Sequence, residues 1–505
     1  MKFKKLLTSA VCIAAIYSCH EDGEIPKDPV VNTEVNFQYK TSIKVGGEGA
    51  SEISAYDAIS KKLFTVNVES NQVSVHNISN LDAPLVESPI DLAAFGSPNS
   101  VAVYDGKLAI AVEADPKQNP GKILVYDTSD HLLLNQYTVG ALPDMVTFSK
   151  DGTLIISANE GEPNDDYTND PLGTISIIDL SDDSVTTLDF TSFNGEEANL
   201  EAQGFRVFGP GATLAQDVEP EYVAVSDDSS TAWVSLQENN GMAKVNLISK
   251  TIEAIYPFGF KDYSVPGNEI DASDKDGVTA LKNWPVLGIY QPDAITSVNI
   301  GGTDYIFSAN EGDARDYGGY SEEVRVDDLT LDESAYPVAG DFLNEVNLGR
   351  LKTTTTLGDI DNDNDVDQIY SYGARSFSVW SSNGNLLYDS GHSIATETLA
   401  ATPSRFNDAD KRSDDKGAEP EAVDVLNIGN ERYILFVGLE RNDQVLVYDV
   451  TNPTAPKFLD ILSHNGDEAP EGLLIIEAED SPNGKDILVV SNEDSGTVSF
   501  YENIQ

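Results

Sequence analysis

Carboxylates recur along this chain in a fixed pattern. Glu419-Pro420-Glu421-Ala422-Val423 precedes Val437-Gly438-Leu439-Glu440, and Asp217-Val218-Glu219-Pro220-Glu221 precedes Val234-Ser235-Leu236-Gln237-Glu238. Glu468-Ala469-Pro470-Glu471, Pro143-Asp144 and Pro292-Asp293 lead in the same way to Ser491-Asn492-Glu493, Ser157-Ala158-Asn159-Glu160 and Ser308-Ala309-Asn310-Glu311. Weaker copies run from Ser51-Glu52 to Val68-Glu69 and from Pro98-Asn99 to Val112-Glu113. Two sets result. The openers are Glu52, Asn99, Asp144, Glu221, Asp293, Glu421 and Glu471. The closers are Glu69, Glu113, Glu160, Glu238, Glu311, Glu440 and Glu493. Equivalent positions in every repeat form a ring, which brings up to thirteen carboxylates to one rim. So many cannot ionise together in a low-dielectric site without a counter-ion. A hard divalent cation with oxygen ligands, Ca²⁺ above all, is the expected partner. For any one closer, the competing role is to cap a turn or bond to the neighbouring repeat.

A second motif is Asp359-Ile360-Asp361-Asn362-Asp363-Asn364-Asp365-Val366-Asp367. Acidic residues at alternate positions match a compact calcium loop, with side chains at positions one, three, five and nine and a backbone carbonyl at seven. Asp359, Asp361, Asp363 and Asp367 are the expected side-chain ligands and Asp365 the carbonyl donor. Asn364, where such loops carry glycine, tolerates a left-handed turn. Arg315, alone in an acidic stretch, is a candidate anion clamp, with an ion pair to its neighbours as the competing reading. None of His76, His131, His392 and His464 sits in a nucleophile motif, and no phosphate-cradling loop appears.

The elements that must position these residues are strands. Gln72–Ile78, Ile123–Asp127, Thr174–Asp179, Met242–Leu247, Gln444–Asp449 and Thr497–Tyr501 each serve as the third strand of a unit; Gln72–Ile78 alternates apolar and polar as a half-buried strand does. Seven such units predict an all-β, seven-bladed propeller. The fifth blade is split, with the insertion 312–375 between its second and third strands. Other insertions cover 162–171, 194–216, 260–290 and 393–416, and all are expected on the binding face. The last unit ends at its third strand, so the strand beginning near Val35 is predicted to complete blade seven and close the ring, leaving no open edge.

The chain has 505 residues and a formal charge of −54, which excludes a nucleic-acid partner. Lys2, Lys4 and Lys5 followed by the apolar run Leu6 to Ile16 read as a signal peptide over residues 1–18, too short to span a bilayer. Ile16-Tyr17-Ser18-Cys19 resembles a bacterial lipobox, with lipidation at Cys19 and a tether over 19–33 before the propeller at 34–505. Cys12 would leave with the signal peptide, so no intrachain disulfide is possible. Attachment through a lipid to the outer membrane, exposed at the surface, is the expected location.

Asp217–Tyr222, Ser157–Pro163, Ser308–Arg315 and Tyr372-Gly373-Ala374-Arg375-Ser376-Phe377 together resemble the choice-of-anchor family I domain. That family includes sea-urchin cell-surface glycoproteins linked to biomineralisation and bacterial relatives labelled alkaline phosphatase. The resemblance spans about Val35 to Ile504. It implies a surface propeller that handles calcium, held here by Cys19. The expected function is a monomeric calcium-binding surface lipoprotein that meets a mineral, a surface partner or a phosphate-bearing ligand. The alternative is a calcium-dependent phosphoesterase with its site at the acidic channel mouth.

Overall fold

A computed structural model describes residues 34–504. Seven antiparallel sheets follow one another in chain order, six of four strands and the first of five, in which Leu85–Val86 and Ile90–Asp91 share the outer position. The innermost strand of each touches those of the sheets on both sides until the seventh meets the first. The chain is a closed seven-bladed propeller. Its innermost strands are Ser54–Asp57, Ser97–Tyr104, Pro143–Phe148, Pro220–Val225, Ile295–Ile300, Pro420–Asn427 and Pro470–Ile476. The second strands lie between neighbouring blades and are apolar on both faces: Leu154–Asn159 and Tyr433–Leu439 are buried throughout. The outer strands face water, as Ser184–Asp189 does with no residue fully buried. Core clusters accordingly span blade boundaries; one joins Ile156 and Ile177 of blade three to Val234 and Val245 of blade four.

Blade seven is completed by the N-terminal strand Phe37–Lys44, paired antiparallel with Thr497–Asn503 from Phe37 opposite Asn503 to Lys44 opposite Thr497. Phe37 packs edge-on against Phe436 of blade six, ring centroids 5.0 Å apart. This is the closure the sequence predicts. The signal peptide, Cys19 and the tether lie outside the described residues.

Blade five is split between Thr303–Asn310 and Ser376–Ser381, again as expected. The insertions, read from sequence as long loops, are more ordered than that. Phe260–Asp262, Val286–Ile289, Ile369–Ser371, Lys352–Thr354 and Glu323–Arg325 form an accessory five-stranded sheet, drawn from two separate insertions. It has its own core of Tyr263, Val286, Val326, Tyr336, Leu348, Leu351 and Ile369. Every insertion leaves from the end of a second or fourth strand, so all lie at the face where the innermost strands begin.

Candidate functional site

The openers owe their aim to a repeated backbone device. Pairing of first with second strands slips between Pro143 and Val146, Pro220 and Val223, Pro420 and Val423, and Pro470 and Gly472. Asp144, Glu221, Glu421 and Glu471 lie inside these slips. A bulge leaves residues unpaired and turns their side chains out of the sheet plane. Before the proline, Leu142, Gln291, Glu419 and Ala469 adopt φ between +43° and +58°, a conformation that side-chain-bearing residues seldom accept. The kink and the bulge together direct the opener into the channel.

A chamber of about 380 Å³ opens there, lined by Glu52, Glu113, Asp144, Glu160, Glu221, Asp293 and Glu471. Met145, Tyr222, Val423 and Leu473 form its floor, and also line a separate vestibule at the other end of the channel. Two trios of carboxylates run from this wall into the protein behind it, Glu160, Glu221 and Asp293 lining the chamber and Glu238, Glu311 and Glu421 backing them. In Glu160, Glu221 and Glu238, and in Asp293, Glu311 and Glu421, one oxygen of each residue lies within 4.8 Å of the other two. Glu238 and Glu421 are 4% and 6% exposed, and each has an Oε2 atom with no hydrogen-bond partner among the described residues; so has Glu221. Desolvation, reinforced by neighbouring carboxylates, raises all of these groups. Glu52 is pushed up to about 8 and Asp144 to about 7, while Glu160, Glu221, Glu238, Glu311, Glu421 and Glu471 are driven far above the ordinary carboxylate range.

Not every expected ring member faces the chamber. Glu69 is exposed in the 3₁₀ turn Val68–Ser70 and accepts a hydrogen bond from Gly47 N at 2.8 Å, a turn-tying role. Glu440 starts a 3₁₀ turn and pairs with Arg441 at 2.7 Å; Glu493 lies outside the chamber wall. The strands stop just short of most closers, and the residue at the stop does work the sequence reading missed. Asn159 donates to Thr174 Oγ1 and Ser176 Oγ, and Asn310 to Ser376 Oγ and Ser378 Oγ. Each buried asparagine clasps the third strand and fixes where its following glutamate emerges. The repeated Ser-x-Asn-Glu wording was the available signal.

Arg315 is corrected from anion clamp to structural counter-ion. It is 3% exposed, pairs with Asp217 at 2.7 Å and Glu219 at 2.9 Å, and donates to the Asp217 carbonyl. Its guanidinium is consumed by protein acceptors. Glu419 is held the same way by Arg412 at 2.7 Å, Lys416 at 3.4 Å and Arg441 at 3.2 Å. In both Glu-Pro-Glu copies, the first glutamate binds the protein's own cations; the second joins a carboxylate trio, Glu221 lining the chamber and Glu421 buried beside it.

In the aspartate loop, Asp359, Asp361 and Asp367 come within 4.8 Å of one another. Asn362 and Asn364 are left-handed, at φ 64° and 72°. Asp359 accepts from Asp363 N and Asn364 N, and Asp363 accepts from Asp365 N. Asp365, expected to offer only its carbonyl, turns its carboxylate toward Asp367 and Asp332 in a second trio. The parallel bridge Leu331–Val366 brings Asp332 there, a partner that sequence spacing does not reveal.

Fold and site thus define a closed propeller with an acidic, cation-poor mouth. The chain belongs to the Choice-of-anchor I domain family, which matches residues 52–453. It is also similar to Gigasin-3a of Magallana gigas, 32% identical over 183 residues; the match spans 30% of this chain and 64% of that relative's length. Among solved structures, a chain of the mitotic checkpoint complex aligns over 95% of this chain and 100% of its own (8% identity, TM-score 0.49). Hydrazine synthase of Kuenenia stuttgartiensis aligns over 92% and 97% (11% identity, TM-score 0.49). The strand pairing, rather than these likenesses, defines the fold. Family membership points to a surface-anchored binding module. Among the described residues no helix is long and apolar enough to cross a membrane.

Proposed function

We propose that this protein is a lipid-anchored surface module that binds Ca²⁺ at its channel mouth and in its aspartate loop, and presents the bound cations to a mineral, a surface partner or a phosphate-bearing ligand. The observation that carries the reading is the trio Glu160, Glu221 and Glu238, in which Glu221 and Glu238 each keep a buried oxygen with no hydrogen-bond partner among the described residues. An unpaired buried charge is costly, and hard oxygen donors at this spacing suit Ca²⁺. A bound cation would neutralise the wall and offer an open position to an incoming oxyanion. Asp293 and Glu421 would hold a second cation beside Glu311, whose own oxygens are taken by Lys416 and Gln237, and Asp359, Asp361, Asp363, Asp365 and Asp367 a third. Cys19, before the first described strand, supports the anchor.

Calorimetry on chelator-stripped protein tests this. Saturable Ca²⁺ binding that weakens in Glu238→Gln supports the channel site; binding unchanged by that substitution removes it. A second reading, a Ca²⁺-dependent phosphoesterase, is favoured by the room for a phosphoryl group beside the trio. Calcium-restored hydrolysis of a phosphomonoester or phytate, lost in Glu221→Gln, would establish it. None of the four histidines among the described residues, His76, His131, His392 and His464, lines the chamber, so the cation would carry the chemistry.

A further inference from the structure

The trio and the chamber have a property that a metal ion does not exhaust. We propose that the chamber binds a linear primary diamine or polyamine, with one ammonium group seated on Glu160, Glu221 and Glu238. This uses the carboxylates of the calcium reading but assigns them a different ligand chemistry.

The protein supplies its own precedent. Glu311, Glu419 and Glu440 form another carboxylate trio within 4.8 Å, and the ammonium of Lys416 pairs with two of its members. Lys416 Nζ contacts Glu311 and lies 3.4 Å from Glu419 Oε2 and 3.9 Å from Asp313 Oδ1. An ammonium carries three donors, which suits a trio of acceptors. Among the described residues no ammonium is ion-paired with the trio on blades three and four: Lys117, which lines the same chamber, pairs with Glu162, and Arg315 with Asp217 and Glu219. Glu238, 4% exposed, keeps a partnerless Oε2 there, and Glu160 and Glu221 also line the chamber, so the trio is reached from it.

Size and lining argue against a metal ion as sole occupant. The chamber's volume of about 380 Å³ is many times the ~30 Å³ share of one water molecule. It falls in the range of organic-ligand pockets. Glu52 and Glu471, on blades one and seven, line the wall across the ring from the trio. One compact ion cannot serve both walls, whereas an ammonium at each end of a short methylene chain can. Met145, Tyr222, Val423 and Leu473 give the methylenes an apolar floor.

Titration calorimetry of spermidine, 1,4-diaminobutane and butylamine into the chelator-treated chain at ~0.15 M salt tests the proposal. The expected result is one saturable site for spermidine, tighter than for butylamine and competitive with Ca²⁺. Glu238→Gln and Glu52→Gln should each weaken it about tenfold to a hundredfold. No saturable binding overturns the proposal. So does binding equally strong in both variants, which is diffuse attraction to a chain of charge −54. Ca²⁺ binding without spermidine binding leaves the calcium reading standing and this one fallen; the converse separates them the other way.

Discussion

Glu219 and Glu221 are two residues apart and do opposite jobs. Glu219 is neutralised by Arg315, while Glu221 faces the chamber with an oxygen that no group among the described residues satisfies. Glu419 and Glu421 repeat the division, with Lys416, Arg412 and Arg441 as counter-ions. The consequence is a contrast between neighbouring substitutions. Glu419→Gln should deprive the half-buried Lys416, Arg412 and Arg441 of the buried carboxylate they share and cost about 1–3 kcal/mol in chemical denaturation. Glu421→Gln should leave the chelator-treated protein as stable or more so, while weakening Ca²⁺ binding in calorimetry. The sequence shows that Glu-Pro-Glu recurs. It does not show which glutamate turns inward, because Arg315 lies far along the chain and reaches Glu219 only once the ring has closed.

At the scale of elements, blades were legible and insertions were not. A half-buried strand announces itself by alternation and a buried one by a short apolar run between turns, and the repeated acidic openers and closers mark the first two strands of all seven blades. The accessory sheet is built from strands of three or four residues contributed by separate insertions, including the parallel pair Val286–Ile289 with Ile369–Ser371, so no local period marks it. The ring-closing strand was legible because blade seven visibly lacked a partner. Phe37→Ala, which empties the contact with Phe436, should cost about 3–5 kcal/mol in urea unfolding. Deleting residues up to Val45 should cost more. In the aspartate loop, Asp359→Asn with Asp367→Asn should remove one bound Ca²⁺ by equilibrium dialysis and leave the channel sites unaffected, since the loop stands on the blade-five insertion rather than on the ring.

For the whole molecule, the mouth makes stability depend on pH. Glu52 titrates near 8 and Asp144 near 7 in the fold, both above the ordinary carboxylate value, so the folded protein binds more protons than the unfolded chain between about pH 4.5 and 8. Stability should therefore fall as pH rises through that window, opposite to the usual behaviour of an ion-paired aspartate. Thermal melts in chelator at pH 5.5, 7 and 8.5 should show a declining Tm. Saturating Ca²⁺ should restore most at the highest pH, because the cation replaces the protons. A flat profile in chelator would mean that the carboxylates are already neutralised by other groups.

The closing strand has a mechanical meaning. Phe37 pairs with Asn503 at the end of the third strand remote from the mouth, and Lys44 with Thr497 at the near end. The described chain therefore begins at the face opposite the chamber, and the proposed anchor, if attached there, would hold the mouth outward. A load taken up at the mouth and resisted at the anchor runs parallel to the Phe37–Lys44 strand. Its hydrogen bonds to blade seven are then pulled together in shear, not peeled one after another. Tugging on the captured ligand would strain the ring along its strongest direction, and single-molecule pulling between the N-terminus and a mouth insertion should give a higher rupture force than pulling between the N-terminus and Ile504.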